Sequence, residues 1–219
     1  MLSFAEFRSA LAFDQPKLEL EERDGLFWAR GIYLLGDGPH ARGPIAEFEI
    51  AVLTDPGYPL AEPILAETGE RIPRDIDRHM YQNGACCPCV WEEWLATAEN
   101  TSFASFMEGP VRNFFLSQLY FEEHGEWPFG ERKHGIEGLL ESVSRVIGRS
   151  LDRPAAIRHL NALTGGEPKG HWECVCGSGK KIRDCDRAHL IDLRDRIGVE
   201  NLERLSMRLK QATARSNAR

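Results

Sequence analysis

Apolar and polar residues follow one period through the first third of the chain and another through the rest. Phe4, Phe7 and Leu11 recur at helical spacing, predicting a short amphipathic helix over residues 3–12 that Pro16 brings to a close. Alternation then takes over. Leu18-Glu19-Leu20-Glu21 reads as a strand, Asp24-Gly25 as a hairpin turn, and Phe27 to Leu34 as the returning strand. Gly36-Asp37-Gly38-Pro39 predicts a further turn. Ile45 to Leu53 forms a third strand with Phe48, Ile50 and Val52 on one face, and Ile64-Leu65-Ala66 a shorter fourth. The four make an antiparallel meander.

From Pro73 to Asn100 the pattern is irregular and dense in Cys, Trp, Asp and Glu, longer than most structureless connections and therefore read as a functional segment. Helical periodicity returns after Thr101, a candidate cap. Phe103, Phe106, Met107, Phe114, Phe115, Leu119 and Phe121 supply its apolar surface, Pro110 starts or kinks the main helix, and Gly125 ends it. Further helical patterns at 136–149, 154–163 and 187–213 are separated by Asp152-Arg153-Pro154, Gly165-Gly166 and Gly198. A helix, a meander, an irregular crossover and then helices make an α+β chain with its helices to one side of a sheet.

At 219 residues, 42% of them hydrophobic and 28% charged, the chain has room for one well-buried domain and a small satellite. The net charge of −7 is unevenly spread: residues 1–134 carry eleven Lys and Arg against twenty-three Asp and Glu, residues 135–219 sixteen against eleven. The acidic part argues against a nucleic-acid role, and the mildly basic tail reads as solvated helix surface. There is no run of eighteen apolar residues, and Met1-Leu2-Ser3-Phe4-Ala5-Glu6 is unlike an export signal, so no membrane partner and a cytoplasmic location are expected. Six cysteines fall in two clusters, Cys86, Cys87 and Cys89, then Cys174, Cys176 and Cys185. Without an export signal, such clusters point to chemistry or metal rather than disulfides.

Four segments in sequence order carry a resemblance to the ubiquitin-conjugating enzyme family, in particular its bacterial members. Tyr58-Pro59-Leu60-Ala61-Glu62-Pro63 resembles the family's Tyr-Pro-x-x-x-Pro bend, and His79-Met80-Tyr81-Gln82-Asn83-Gly84-Ala85-Cys86-Cys87 its His…Asn/Asp-Gly-x-x-Cys loop. Trp91 and Trp94 are candidates for the tryptophan after that loop. Trp127-Pro128-Phe129-Gly130-Glu131-Arg132-Lys133-His134-Gly135 is similar to the segment that closes the core. The resemblance spans about residues 1–135 and implies a ubiquitin-conjugating-like core. It places the nucleophile three residues after the loop glycine, at Cys87.

The residue type suits acyl transfer, because a thiolate attacks and leaves readily and its thioester is reactive enough to acylate an amine. A free thiol is only a few per cent ionised at neutral pH, so a nearby donor or positive field assists. His79 is placed to assist a proton transfer or to brace the loop. In place of the His-Pro-Asn element of eukaryotic members this chain has His79-Met80-Tyr81, which leaves the oxyanion donor to Asn83 or the Tyr81 hydroxyl; Asn83-Gly84 reads first as turn chemistry. Glu92 and Glu93 either orient an incoming lysine or form a solvated face.

Glu173-Cys174-Val175-Cys176-Gly177-Ser178-Gly179-Lys180-Lys181-Ile182-Arg183-Asp184-Cys185 resembles the SEC-C motif of many bacterial proteins, in which Cys-x-Cys, a glycine-rich turn and a third Cys enclose zinc. The motif's fourth ligand follows at once, and here that position is Asp186. His189, four residues after Cys185 and so on the same face of a helix, is preferred because structural zinc is usually completed by Cys or His. The turn is no phosphate loop, as the longer Gly-x-x-x-x-Gly-Lys-Ser/Thr spacing is missing.

The layout expected is a core at 1–135, a helical linker at 136–165, and a zinc knuckle with C-terminal helices at 166–219. By resemblance, the chain is a transferase carrying a protein C-terminal acyl group as a thioester on Cys87. A modifier protein or a nucleotidyltransferase would supply the carboxyl, an activating enzyme would charge the thiol if one is needed, and a lysine or other amine would accept, within a bacterial antiphage system. The alternatives are a catalytically inactive adaptor binding through its zinc knuckle, and a metal-binding or redox role for Cys86, Cys87 and Cys89.

Overall fold

A computed structural model describes residues 1–36, 43–130, 133 and 135–217, with side chains to residue 214. The chain is α+β and divides into two compact units: Met1–Cys89 with Glu99–Gly130, and Val90–Ala98 with Glu131–Arg219. The turn expected at Asp37-Gly38-Pro39, and Glu131, Arg132 and His134 of the closing segment, lie outside the described residues.

The first unit begins with helix α1 (Phe4–Leu11). Its start is fixed by a reciprocal cap, the Ser3 hydroxyl accepting from the Glu6 N–H at 3.2 Å while the Glu6 carboxylate accepts from the Ser3 N–H at 2.8 Å. Strands β1 (Leu18–Arg23), β2 (Leu26–Gly36), β3 (Pro44–Thr54) and β4 (Ile64–Glu67) form an antiparallel sheet in sequence order. Phe27, Ala29, Tyr33 and Leu35 on β2, and Phe48, Ile50 and Val52 on β3, bury one face. Gly31 has φ +131°, and a Cβ there would collide with the Lys17 carbonyl where β1 begins, so only glycine lets the two strands meet.

That face is covered by one helical stretch, α3 (Phe103–Phe106), a wide turn at Met107–Val111, and α4 (Arg112–His124). Pro110 accounts for the wide turn: it has no N–H to give, and its ring displaces the carbonyl four residues back, so the helix loosens and continues rather than stopping. Gly125, at φ +73°, caps α4 by donating to the Phe121 carbonyl at 2.9 Å. Phe115 lies fully buried against Phe48 and Tyr33, with ring centroids 4.4 and 5.3 Å away.

The second unit is helical. It contains α2 (Trp91–Thr97), α5 (Gly135–Ile147), α6 (Arg153–Thr164), α7 (Arg187–Ile197) and α8 (Val199–Asn217). Val143, Val146 and Ile147 of α5, Leu160 and Leu163 of α6, Leu190, Leu193 and Ile197 of α7, and Leu202, Leu205 and Leu209 of α8 form its core. Residues 136–165, expected as a linker, are thus α5 and α6 of this unit, packed on α8. Trp91 and Trp94 stand on α2, their rings 4.7 Å apart, so they too belong to the helical unit. Glu92 and Glu93 are neither a solvated face nor open to a substrate amine: both are buried, with Arg208 at 3.9 Å and Arg145 at 3.7 Å. Among the described residues no helix is long and apolar enough to cross a membrane.

Truncating Phe115 removes the ring that joins α4 to the sheet. Phe115→Ala should lower the stability of the first unit by about 3–5 kcal/mol in denaturant titration, whereas Phe129→Ala, at a position 88% exposed, should leave it nearly unchanged. Equal effects would show that the core is not where these contacts put it.

Candidate functional site

The first cysteine cluster lies on a segment that doubles back on itself. A short turn at Ile76–Arg78 is capped by Asp75, whose carboxylate accepts from the Asp77 N–H at 3.0 Å, and ends on His79 in the left-handed region at φ 52°. The His79 carbonyl accepts from the Cys87 N–H at 2.9 Å, Met80 bridges Cys86, and the Tyr81 N–H donates to the Ala85 carbonyl at 2.8 Å. Residues 79–87 are therefore a miniature hairpin closed at Asn83-Gly84. The Asn83 carboxamide oxygen accepts from the Ala85 N–H at 3.1 Å, the turn role that its sequence suggested.

The returning arm of this hairpin lies on β4. The Cys86 N–H donates to the Leu65 carbonyl at 2.8 Å, and the Glu67 N–H donates to the Gly84 carbonyl at 3.1 Å. Gly84 has φ +83°, and a Cβ would stand 3.2 Å from the Glu67 carbonyl oxygen, so a side chain would disturb both the turn and the sheet edge. A further tether was not visible in the sequence. Gln118, fully buried on α4, receives the Arg78 guanidinium at 3.0 Å and donates to the Arg78 carbonyl at 2.8 Å.

This backbone sorts the three thiols. Neighbouring side chains on an extended arm face opposite ways, so seating Cys86 in the core turns Cys87 outward. Cys86 is 7% exposed, and burial pushes its thiol up to about 12. Cys87 and Cys89 are half-buried, the Cys87 thiol lying 3.8 Å from the Cys89 carbonyl. His79 meets Cys87 through the main chain, and its ring sits edge-on to Trp127 with centroids 5.0 Å apart, which braces the loop. Tyr81 is exposed beside the turn.

The second cluster is a knuckle in the helical unit. Residues 172–174 and 180–182 pair through Cys174 N–H to the Lys180 carbonyl at 2.9 Å and Ile182 N–H to the Trp172 carbonyl at 2.8 Å, and Gly177 and Gly179, both at positive φ, turn the chain between them. Cys174, Cys176, Cys185 and Asp186 each offer one ligand atom, all within 4.8 Å of one another, close enough to hold a metal ion. The Cys176 and Cys185 sulfurs are 3.6 Å apart. A tetrahedral ion with sulfur at about 2.3 Å sets its ligand sulfurs about 3.8 Å apart, so the donor set and its spacing fit such an ion.

The fourth member is Asp186 rather than His189. Cys185 precedes α7 in a non-helical conformation, so the same-face spacing does not hold, and His189 directs Nε2 at the Ile147 carbonyl at 2.9 Å, at the end of α5. Asp186 is buried and receives both terminal nitrogens of Arg149, at 3.0 and 3.1 Å. Burial works to raise its carboxyl, but hydrogen bonds from Arg149 and the Cys174 thiol outweigh this and hold it below its usual range. Burial pushes the Cys174 thiol up to about 12, while hydrogen bonding from Ser178 brings Cys176 down to about 7. Arg149 had no signal in the sequence, since it stands 37 residues from its partner.

A brief alkylation at pH 8 should leave Cys86 unmodified in the folded protein and label it fully after denaturation, because at that pH a thiol raised to about 12 carries almost no thiolate. Peptide mass mapping reads the result, and labelling of Cys86 as fast in the folded as in the unfolded chain would contradict its buried position. No family model, no curated protein and no solved structure matches this chain.

Proposed function

We propose that the chain is a ubiquitin-conjugating-like cysteine acyltransferase whose nucleophile is Cys87. One observation carries the reading. The hairpin at 79–87 presents Cys87 half-exposed on a hydrogen-bonded backbone, while the neighbouring Cys86 is withdrawn into the core with its thiol raised. An N-terminal helix, a four-stranded antiparallel sheet, a cysteine loop on the last strand and then helices also agree with the layout that the family resemblance implies.

In this reading the Cys87 thiolate attacks the C-terminal carbonyl of a modifier protein, or of a nucleotidyltransferase, that arrives as a thioester on an activating enzyme. The enzyme's thioester bond breaks, its sulfur leaves as thiolate, and the acyl group is now on Cys87. A lysine or other amine then attacks the same carbonyl, forms an amide, expels the Cys87 thiolate and releases its proton to solvent. The His79 carbonyl, by holding the Cys87 N–H, fixes the loop during both steps. The Asn83 turn bond uses only its carboxamide oxygen, so its Nδ2 and the Tyr81 hydroxyl are the candidate donors to the oxyanion, whereas the main-chain N–H groups of Tyr81, Gly84, Ala85, Cys86 and Cys87 are already hydrogen-bonded.

The knuckle, in the same proposal, holds zinc through Cys174, Cys176, Cys185 and Asp186 and supplies folding free energy to a segment too small to build its own core. Its surface is the docking element for partners.

Cys87→Ser should trap the adduct as an oxyester resistant to thiol reductant, Cys87→Ala should abolish it, and Cys86→Ala and Cys89→Ala should both still charge; intact mass with the cognate partner and activating enzyme distinguishes these. If Cys86→Ala or Cys89→Ala alone prevents charging, the nucleophile is misplaced. If wild type never charges, the adaptor reading replaces the enzyme.

Elemental analysis of protein purified without chelator should find about one zinc per chain, lost in a Cys174→Ser, Cys176→Ser double variant. Unchanged zinc in that variant would remove the knuckle as its site.

A further inference from the structure

We infer that Arg149 is the positioning residue of the knuckle: its guanidinium fork holds Asp186 as the fourth, oxygen donor and fastens the site to the end of α5. The inference rests on the reading that the knuckle binds a divalent metal, and goes beyond it by naming a residue outside the cysteine motif on which the site depends.

Geometry is the first support. The two Arg149 nitrogens reach separate oxygens of Asp186, Nη2 to Oδ1 at 3.0 Å and Nη1 to Oδ2 at 3.1 Å, a parallel pair of charge-assisted bonds that fixes the carboxylate plane. A carboxylate has about four lone-pair directions, and the fork takes one on each oxygen. Oδ1 therefore keeps a lone pair, and it lies 3.6 Å from the Cys185 sulfur. Without the fork the carboxylate would rotate about its last bond, and a short Asp side chain has few other groups to stop it. Lysine, a point charge, would not set the plane.

Charge is the second. Three thiolates and a carboxylate around a divalent ion leave two negative charges in a place where Cys174 and Asp186 are buried. One guanidinium beside the carboxylate halves that excess. The group that orients a ligand and the group that offsets its charge are the same, as is usual for the outer partners of metal ligands.

Attachment is the third. Arg149 follows the last turn of α5, its N–H donating to the Ser144 carbonyl at 3.0 Å and Gly148 turning the chain at φ +75°. Two residues earlier the Ile147 carbonyl receives His189 of α7. The end of α5 thus grips the knuckle twice, through Asp186 at the start of α7 and through His189 one turn later. The second grip stabilises the packing without touching the ligand atoms, which separates the two roles experimentally.

The test uses the full chain, stripped of metal under reducing conditions and titrated with Zn2+ against a chromogenic chelator, and with Co2+ to read the visible spectrum of the ligand set. Wild type should bind one ion. Arg149→Met and Asp186→Asn should each weaken zinc by about 10–100-fold, and their double variant should lose well under the product of the two, because Arg149 acts mainly through that carboxylate, with a lesser side-chain hydrogen bond to Cys176 beside it. Arg149→Lys should recover part of the affinity and not the wild-type cobalt spectrum. Asp186→Cys should bind more tightly and lose most of its dependence on Arg149. His189→Ala should lower the melting temperature but leave the cobalt spectrum as in wild type. A wild-type chain that binds no ion would overturn the metal reading itself. A wild-type chain that binds zinc, with Arg149→Met binding equally well or losing affinity additively with Asp186→Asn, would leave the metal reading standing and overturn the role of Arg149.

Discussion

The hydrogen-bonded ladder that joins residues 79–87 to β4 is the constraint on which the candidate chemistry depends. It sets the side-chain alternation of the returning arm, and alternation decides which of two adjacent cysteines is withdrawn and which is presented. A slip of one residue would exchange Cys86 and Cys87. Three features pin the register: the Asn83-Gly84 turn, the lack of a side chain at Gly84 where the Glu67 carbonyl approaches, and the paired bonds between Gln118 and Arg78. The buried sheet face and Phe115 matter to the site because they hold β4 and α4, and so both edges of the loop, in place.

In the helical unit a different physical problem is solved. Thiols brought within bonding reach of one another and of a buried carboxylate would repel if ionised. A cation held there would relieve the conflict from inside the cluster, and Arg149, paired with Asp186, offsets part of it from outside. Glu92 and Glu93 meet the same requirement in a simpler way, each buried near a half-exposed arginine from another helix of the unit.

Much of the architecture was legible because it is written in short-range pattern. Alternation located Phe48, Ile50 and Val52 on the buried face, the helical spacing of Phe4, Phe7 and Leu11 located α1, and Gly125 marked the end of α4. Pro110 was read as a start or a kink, and the helix took the kink because tertiary packing on both sides favours continuing it. In the knuckle, local spacing found the three cysteines but misjudged the fourth member. The same-face argument needs Cys185 and His189 on one helix, but Cys185 precedes α7 with a non-helical φ of −142° and ψ of −107°, and His189 meets the Ile147 carbonyl instead. Arg149, Gln118 and the burial of Glu92 and Glu93 were illegible for one reason: each is decided by a partner tens of residues away in sequence.

The central claim is that Cys87 carries the acyl group. Its most direct test is to react the wild-type chain with its partner and activating enzyme, digest under acidic non-reducing conditions that spare thioesters, and map the modified peptide by fragmentation. The account predicts a single adduct on Cys87, released by hydroxylamine or thiol at neutral pH, with Cys86 and Cys89 recovered unmodified. An adduct on Cys86 or Cys89, or one that resists both reagents, would contradict it.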